Sequence, residues 1–284
     1  MKTYYYLIGL CTLIVSLNAC KKEETPVASP SNEFYTLPQG NAAYDDLFVQ
    51  FQKDYNSYIL YRFSENDFRW NGTSRLPYMA KEGEPDAIMD AFTFIQKAFL
   101  SDYSKDRLQQ LMPYKILLSA GIYQLAVNTA KPTGYDTLTT NIGLYSGINH
   151  VTFGYVNSTL KTLNSSKKKD IQADLHRTFF TQALSRQKIS IPSSFTALFN
   201  ATGNSATAYK GLGFLEYQRS YTVDMDFLAF IYYALRYNEI QFKASYLTTA
   251  FDTSGLIAKK YTLVKKYLKD NWEIDTEIIS NRDL

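Results

Sequence analysis

The sequence predicts an α+β fold, mainly helical, with a small N-terminal mixed sheet. Short apolar runs typical of strands lie within residues 57–153, and repeats at helical spacing dominate from residue 155 onwards. The two kinds of pattern do not alternate regularly, which argues against a doubly wound parallel sheet. With 284 residues, of which 45% are hydrophobic, the chain can bury a sizeable core.

The first residues predict a secretory signal. Lys2 precedes an apolar run over residues 4–17, and that run is too short for a permanent membrane span. It ends in Leu17-Asn18-Ala19-Cys20, which resembles a bacterial lipobox, although Asn18 replaces the usual small residue. The resemblance implies that residues 1–19 are a lipoprotein signal peptide and that Cys20 carries a lipid.

Residues 20–40 predict a flexible tether between this lipid and a globular domain over residues 41–284. Pro26, Pro30 and Pro38 stand among polar residues, a composition that cannot bury a core. The charged residues 21–24 resemble the signal that sends lipoproteins to the outer face of the outer membrane in Bacteroidetes-type bacteria. The expected location is therefore the outer membrane, with the domain lipid-anchored and exposed at the cell surface.

Composition excludes several chemistries. Cys11 and Cys20 are the two cysteines of the sequence, so the expected mature domain has no thiol for a disulfide, a nucleophile or a thiolate metal site. The net charge of +3 gives no broad field for nucleic acid, which we do not expect as a partner. The 24 Tyr and 18 Phe suit surfaces that bind sugars or peptides, although a Tyr-rich core is the simpler reading of composition alone.

Local patterns place the individual elements. Helices are predicted at 44–55, 86–99, 171–188 and 254–271, and a further helix is predicted after Thr222, whose side chain is a good N-cap. Strands are predicted at 57–63, 114–119 and 121–127, with a glycine-containing hairpin over 141–153. The polar segment 64–85 predicts turns, with Trp70, Asn71-Gly72 and Pro77 among its residues.

These pieces, in this order, resemble the zinc-binding metallopeptidase lipoproteins of Bacteroidetes-type bacteria, a gluzincin-like family. The likeness extends over nearly the whole expected mature domain. It is carried by segment 59–63 with Trp70 downstream, by 114–119, by the glycine-containing hairpin before the central helix, and by 171–188, 213–227 and 260–275. The central helix contains His176-Arg177-Thr178-Phe179-Phe180. The resemblance implies a zincin-like fold.

The same resemblance implies a degenerate site. Family members with an intact site have H-E-x-x-H on the central helix and a ligand carboxylate in a later E-D-F-A-E stretch. Here His176 remains as a remnant, while Arg177 and Phe180 replace the glutamate base and the second histidine. In the later stretch, the corresponding positions are Met225, Asp226 and Ala229. This implies no catalytic residues, no bound metal or other cofactor, and a pseudoenzyme.

The predicted function is that of a non-catalytic surface lipoprotein with a peptidase-like fold. The family's setting implies a binding or accessory role in a Sus-type outer-membrane uptake system, with a transporter and its lipoproteins as partners and a peptide or glycan as ligand. The predicted surface lies between the hairpin at 145–153 and the helix bearing Arg177.

Two alternatives stay open. One is a zinc-dependent peptidase with an atypical site, which would have to recruit carboxylates such as those of Asp174, Asp224, Asp226 or Glu216. The other is an envelope scaffold without a small ligand. His150, the other histidine, is expected to be a surface or structural residue.

Overall fold

One long strand organises the sheet. Strand β3 (Lys115–Val127) runs parallel to two strands in its first half and antiparallel to two others in its second half. The remaining strands are β1 (Tyr58–Leu60), β2 (Tyr78–Glu82), β4 (Tyr135–Asn141), β5 (Leu144–Ser146) and β6 (His150–Phe153).

The computed structural model describes residues 35–69 and 78–284, and residues 37–284 form one structural unit.

The sheet is mixed. Strands β1 and β6 flank β3 in parallel, with Tyr58 opposite Lys115 and Lys115 opposite His150. Strand β5 pairs antiparallel with β6 and lies at the edge of the described sheet. Strands β2 and β4 both pair antiparallel with the second half of β3.

Helices precede the sheet, interrupt it and make up most of the chain after it. Those of the first half are α1 (Asp45–Tyr55), α2 (Glu65–Arg69), α3 (Ile88–Ala98) and α4 (Lys105–Leu111), with short 3₁₀ turns at Pro85–Ala87 and Leu100–Asp102. Those of the second half are α5 (Thr159–Thr162), α6 (Ser165–Ser185), α7 (Ser193–Thr196), α8 (Val223–Arg236), α9 (Glu239–Tyr246), α10 (Leu256–Trp272) and α11 (Thr276–Ser280). The predicted α+β class, mainly helical with a small mixed sheet, is confirmed.

The core lies between the sheet and the helices. Ile116 and Leu118 of β3, together with Phe153 of β6, are buried in the same apolar cluster as the inner faces of α3 and α6. Phe94 of α3 packs against Phe153 with ring centroids 6.2 Å apart. Burial of this apolar area is the main favourable contribution to folding.

Most predicted elements are present, with shorter strands and shifted helix ends. Thr222 caps α8 as predicted, because its side chain accepts a hydrogen bond from the backbone N–H of Met225. The prediction of separate strands at 114–119 and 121–127 is wrong, since β3 is continuous. At Gly121, a Cβ atom would lie 2.3 Å from the Tyr123 hydroxyl. The missing side chain therefore makes room for the Tyr123 ring without breaking the strand.

Two features differ from the sequence predictions, and a third prediction is not tested by the described residues. The segment 64–85, predicted as turns, contains α2 and β2, while Trp70, Asn71-Gly72 and Pro77 lie outside the described residues. Helices α4, α7, α9 and α11 were not predicted, since short helices carry too few repeats to show a period. The predicted signal peptide and Cys20 also lie outside the described residues.

Within residues 35–69 and 78–284, no helix combines the length and the apolar character needed to cross a bilayer.

Candidate functional site

The central helix α6 carries the residues that the sequence singled out. Asn164 caps its N-terminus by accepting a hydrogen bond from the backbone N–H of Lys167. Helix α6 packs along α8, and its buried face includes Leu175, His176, Phe179 and Phe180. The remnant histidine therefore points into the protein interior.

Both ring nitrogens of His176 face polar groups from the turn after α3. The Tyr103 hydroxyl lies 2.6 Å from Nδ1, and Oδ2 of Asp102 lies 3.4 Å from Nε2. The side chain of His176 is fully buried, and the ring of Phe99 packs against it edge to face at 5.1 Å. The imidazole is thus enclosed by a phenol, a carboxylate and an aromatic ring.

Asp102 connects this histidine to the C-terminus. Its carboxylate accepts two hydrogen bonds from the guanidinium of Arg282, which also donates to the backbone carbonyl of Lys97. Burial opposes ionisation of Asp102, but hydrogen bonds and charge from His176 and Arg282 prevail and hold its pKa below the usual range. Asp102 is therefore a carboxylate held between two nitrogenous side chains.

The position of the second family histidine is filled by an aromatic contact. Phe180 is fully buried, and its ring meets Trp272 edge to face with centroids 5.1 Å apart. Trp272 in turn lies 6.2 Å from the ring of Tyr103. Phe180 thus belongs to an apolar cluster around His176 and offers no donor atom to a metal.

Arg177 lies on the half-exposed side of α6. Its guanidinium donates to Asp174, one turn earlier, and lies 3.7 Å from a carboxylate oxygen of Glu216. It also sits 4.6 Å from the centre of the Tyr232 ring on α8, which is a cation–π contact. Burial raises the pKa of Asp174, an effect that the charge of Arg177 opposes.

The positions on α8 have separate surroundings. Met225 is 39% exposed, and Ala229 is buried. Asp226 is fully buried and pairs with Lys260 of α10, whose Nζ lies 2.6 Å from Oδ2 and also donates to the Gly213 carbonyl at 3.1 Å. Burial raises the pKa of Asp226 to about 6, although Lys260 opposes the rise.

These side chains do not fit a three-ligand zinc centre. Such a centre needs three donors converging on one point with a fourth position left open. His176 already contacts a hydroxyl and a carboxylate, whereas the side chains of Phe180 and Ala229 have no donor atom. Across the residues that the structure describes, no three His, Cys, Asp or Glu side chains are grouped to hold an ion. The loss of the metal site stays a prediction.

The carboxylates that an atypical site would recruit have other contacts. Asp174 and Glu216 both face the guanidinium of Arg177, Asp226 pairs with Lys260, and Asp224 is exposed on the first turn of α8. The geometry therefore places a fixed cation next to two of the four candidates.

His150 occupies a second buried polar position. It is 1% exposed, and its ring lies 5.5 Å from that of Phe68 and 6.0 Å from that of Tyr145. Burial and the nearby charge of Lys115 lower its pKa to about 4, and Asp67 opposes this shift. Of the two expectations for His150, the structure supports a structural residue.

Sequence reasoning missed the partners of the central histidine. Asp102 and Tyr103 follow a predicted helix in a short polar turn, and Arg282 is the third residue from the end of the sequence. No spacing rule links these positions to His176, because the contacts span more than 70 residues. A buried histidine on an apolar helix face was the one signal that such partners were needed.

Comparison with known proteins gives one informative likeness. No family model and no curated protein sequence matches the chain. A crystal structure of a putative zinc-binding metallo-peptidase from Bacteroides caccae superposes with a TM-score of 0.53 at 18% sequence identity. The match covers 82% of this chain and 87% of that chain.

The fold is zincin-like. At this identity the likeness establishes the fold alone, and the predicted zincin-like class is thereby confirmed. Within that fold, the residues around His176 form a closed polar and aromatic cluster.

Proposed function

We propose that this chain is a non-catalytic lipoprotein that uses a peptidase-like fold for binding at the cell surface. The observation that carries the proposal is the surroundings of His176. Both of its ring nitrogens face protein groups, Tyr103 and Asp102, so the imidazole is committed to the core. A hydrolase built on this helix would need one of these two nitrogens free to bind a metal.

The position of the general base supports the same proposal. A metallopeptidase of this kind requires a carboxylate that removes a proton from the metal-bound water. Arg177 carries a permanent positive charge there, and its neighbours Asp174 and Glu216 stabilise that charge. A fixed cation cannot accept a proton, and it disfavours a second cation nearby.

The exposed surface beside Arg177 is the proposed binding region. On one side, Gln182 of α6 donates hydrogen bonds to Ser146 and to the Gly147 carbonyl, so the hairpin at 145–153 lies against this helix. Strand β5 is at the edge of the described sheet, where an extended chain could add a strand. On the other side lies Tyr232 of α8.

Metal analysis and a peptidase assay test the absence of catalysis. The purified chain is incubated with zinc, dialysed and analysed for metal, alongside His176→Ala and the matched control His150→Ala. We expect no stoichiometric zinc in any of the three proteins and no cleavage of casein. One equivalent of zinc that disappears in His176→Ala alone, together with proteolysis, would refute the proposal.

That outcome would favour the second candidate, a zinc-dependent peptidase with an atypical site. The observation in its favour is the description of the structurally similar Bacteroides protein as a putative zinc-binding metallo-peptidase. Asp174 and Glu216 would be the carboxylates to test next, because both already lie beside α6.

The proposed location and partners rest on the sequence. We propose that Cys20 carries the lipid and anchors the chain in the outer membrane, next to a Sus-type transporter and its lipoproteins. Labelling with a radioactive fatty acid, membrane fractionation and surface proteolysis test this, with Cys20→Ser as the variant and Cys11→Ser as the control. Retention of Cys20→Ser in the labelled outer-membrane fraction would contradict it, and co-purification of the transporter would identify the partner.

A further inference from the structure

A cavity of about 520 Å³ opens where three helices end. Its wall includes Lys53 from the last turn of α1, Gln109 from the last turn of α4, and Arg186 and Lys188 from the chain directly after α6. The residues that precede strands β3 and β6 also line it. We name it the basic cavity.

Basic side chains outnumber acidic ones around the basic cavity. Lys53, Arg186 and Lys188 are its cations, and Asp54 is the one carboxylate among the described residues that line it. Asp54 pairs with Lys105, whose Nζ lies 2.6 Å from Oδ1, and this hydrogen bond lowers the pKa of Asp54. The carboxylate therefore has a cation of its own outside the lining, and the three cations of the wall are not balanced within it.

The guanidinium of Arg186 is half-buried and has no carboxylate partner within residues 35–69 and 78–284. It donates instead to three backbone carbonyls, two of them at the end of α4, over distances of 2.7 to 3.1 Å. In contrast, Arg177, Arg236 and Arg282 each pair with a carboxylate. Burial lowers the pKa of Arg186, but an arginine in a protein keeps its charge. A half-buried charge without an opposite charge beside it favours a bound anion.

The helix ends account for part of this positive charge. The carboxyl end of a helix carries a partial negative charge of about half a unit, and basic residues are common there for that reason. Three such ends meet at the basic cavity, so together they offset about one and a half of the three positive charges. The remaining positive charge attracts anions, and it attracts a divalent anion more strongly than a monovalent one.

We infer that the basic cavity binds a phosphate dianion, either free or as the phosphate group of a small monoester. Guanidinium and ammonium groups donate charge-assisted hydrogen bonds to phosphate oxygens. Of the five N–H groups of an arginine, the three carbonyls occupy three at Arg186, which leaves two. The side-chain amides of Asn56 and Asn149 line the same wall as further donors.

The cavity also has room for the organic part of a monoester. Met112 and Pro113 contribute apolar surface to its wall. A volume of about 520 Å³ lies within the range of sites that hold small organic molecules.

This site is separate from the binding region proposed beside Arg177. Arg186 follows Arg177 by nine residues along the direction of α6, which corresponds to about 14 Å. The inference therefore goes beyond the proposed function. Its test involves neither zinc nor proteolysis, so either one can fail without the other.

The experiment titrates the full purified chain with anions at pH 8 and follows binding by calorimetry. Inorganic phosphate and phenyl phosphate, which are both dianions at this pH, are the probes, and acetate is the monovalent comparison. We expect saturable binding of at least one phosphate, at least about ten-fold tighter than that of acetate, and weaker binding as sodium chloride is raised from about 50 to 500 mM. Tighter binding of phenyl phosphate would assign the site to a monoester, and equal binding would assign it to free phosphate.

Two variants remove one positive charge each from the wall. Lys53→Gln and Lys188→Gln should each weaken phosphate binding about three- to ten-fold, as the loss of one charge-assisted hydrogen bond predicts. Both side chains are exposed, so these variants should fold like the wild type. Lys188→Arg keeps the charge and should retain most of the affinity.

The matched control is Lys97→Gln. Lys97 is exposed in the last turn of α3, as Lys53 is in the last turn of α1, but it does not line the basic cavity. Its replacement should leave phosphate affinity unchanged. The inference is overturned if neither phosphate binds saturably, if acetate binds as tightly, if the Lys53 and Lys188 variants bind like the wild type, or if Lys97→Gln weakens binding equally. Each of these results would assign the cations to the helix ends alone.

Discussion

The hydroxyl of Tyr103 lies 2.6 Å from Nδ1 of His176, inside the aromatic core. This contact joins the turn after α3 to the central helix, and Asp102 extends it to Arg282 near the C-terminus. In a metallopeptidase the same histidine would turn its nitrogen to the metal. Here it serves as a buried polar link between distant parts of the chain.

The first prediction concerns this link. Tyr103→Phe removes the hydroxyl and leaves Nδ1 of His176 buried without its partner. We expect the free energy of unfolding to fall by about 1–3 kcal/mol, the usual penalty for an unsatisfied buried polar group. Urea denaturation followed by tryptophan fluorescence measures the change.

Tyr123→Phe is the control for that substitution, because Tyr123 is half-buried on β3 and lies away from His176. Its effect should stay within about 0.5 kcal/mol. Equal stability of Tyr103→Phe and the wild type would show that the hydroxyl contact contributes nothing, and would weaken the structural role assigned to His176.

The second prediction concerns Arg177. Its side chain is 34% exposed, and its partner Asp174 is 32% exposed, so water screens much of their attraction. Arg177→Ala should therefore lower the free energy of unfolding by less than about 1 kcal/mol. If the binding region lies beside Arg177, the same variant should weaken ligand binding more than it weakens the fold. The two quantities are measured by urea denaturation and calorimetry, and a loss of several kcal/mol in stability would contradict the prediction.

Much of the fold could be predicted from the sequence, because long segments with a regular hydrophobic period can be recognised without the structure. The helices at 171–188 and 254–271 and the N-cap at Thr222 follow from spacing and capping chemistry, which are local properties. The continuity of β3 was not predicted, because a glycine at position 121 was interpreted as the boundary between two strands. In the structure, Gly121 instead makes room for the ring of Tyr123 within one strand. Local rules cannot distinguish these uses of glycine.

The candidate site likewise contains some residues that the sequence predicted and others that it could not predict. Single positions such as Arg177 and Phe180 could be named from the sequence, because they align with a motif. Their partners could not, since Asp102, Trp272 and Arg282 meet α6 only through the tertiary fold.

The third prediction concerns the buried ion pair between Asp226 and Lys260. Both side chains are fully buried, and Oδ1 of Asp226 has no hydrogen-bond partner among the described residues. Burial raises the pKa of Asp226 and lowers that of Lys260, so desolvation exceeds the attraction between them. Lys260→Met should then cost about 3–5 kcal/mol of stability, because it leaves a buried carboxylate unpaired.

The double variant Asp226→Leu with Lys260→Met removes both buried charges. It therefore distinguishes the attraction between the two side chains from the free-energy cost of burying them. The double variant keeps a similar side-chain volume without any buried charge. Its free energy of unfolding should therefore be close to that of the wild type, or higher by up to about 4 kcal/mol. A double-mutant cycle with Asp226→Leu alone measures the coupling by urea denaturation. Additive losses in the double variant would show that the two side chains stabilise the fold independently.

The fourth prediction concerns pH. His150 has a pKa of about 4 in the folded chain, because burial and Lys115 disfavour its charged form, whereas an unperturbed histidine titrates near 6.5. Between these values the unfolded chain binds a proton that the folded chain does not, so stability falls as pH falls from about 6.5 to 4. The full difference amounts to about 3 kcal/mol.

The titration of Asp226 changes the folding stability with pH in the opposite direction. Its pKa is raised to about 6 by burial, so the folded chain binds the proton first as the pH falls below 6. This contribution stabilises the fold on acidification, until the unfolded carboxyl is also protonated near pH 3.8. The net slope of the wild type therefore combines two opposed effects, and each needs its own variant.

His150→Phe retains a ring against Phe68 and Tyr145 and removes the titration. We expect the decline between pH 6.5 and 4 to flatten in this variant and to steepen in Asp226→Asn, as measured by urea denaturation at each pH. Asp224→Asn, at an exposed carboxyl on the first turn of α8, should follow the wild type. An unchanged slope in His150→Phe would mean that His150 is as accessible to protons in the folded chain as in the unfolded one, and the buried position assigned to it would then be wrong.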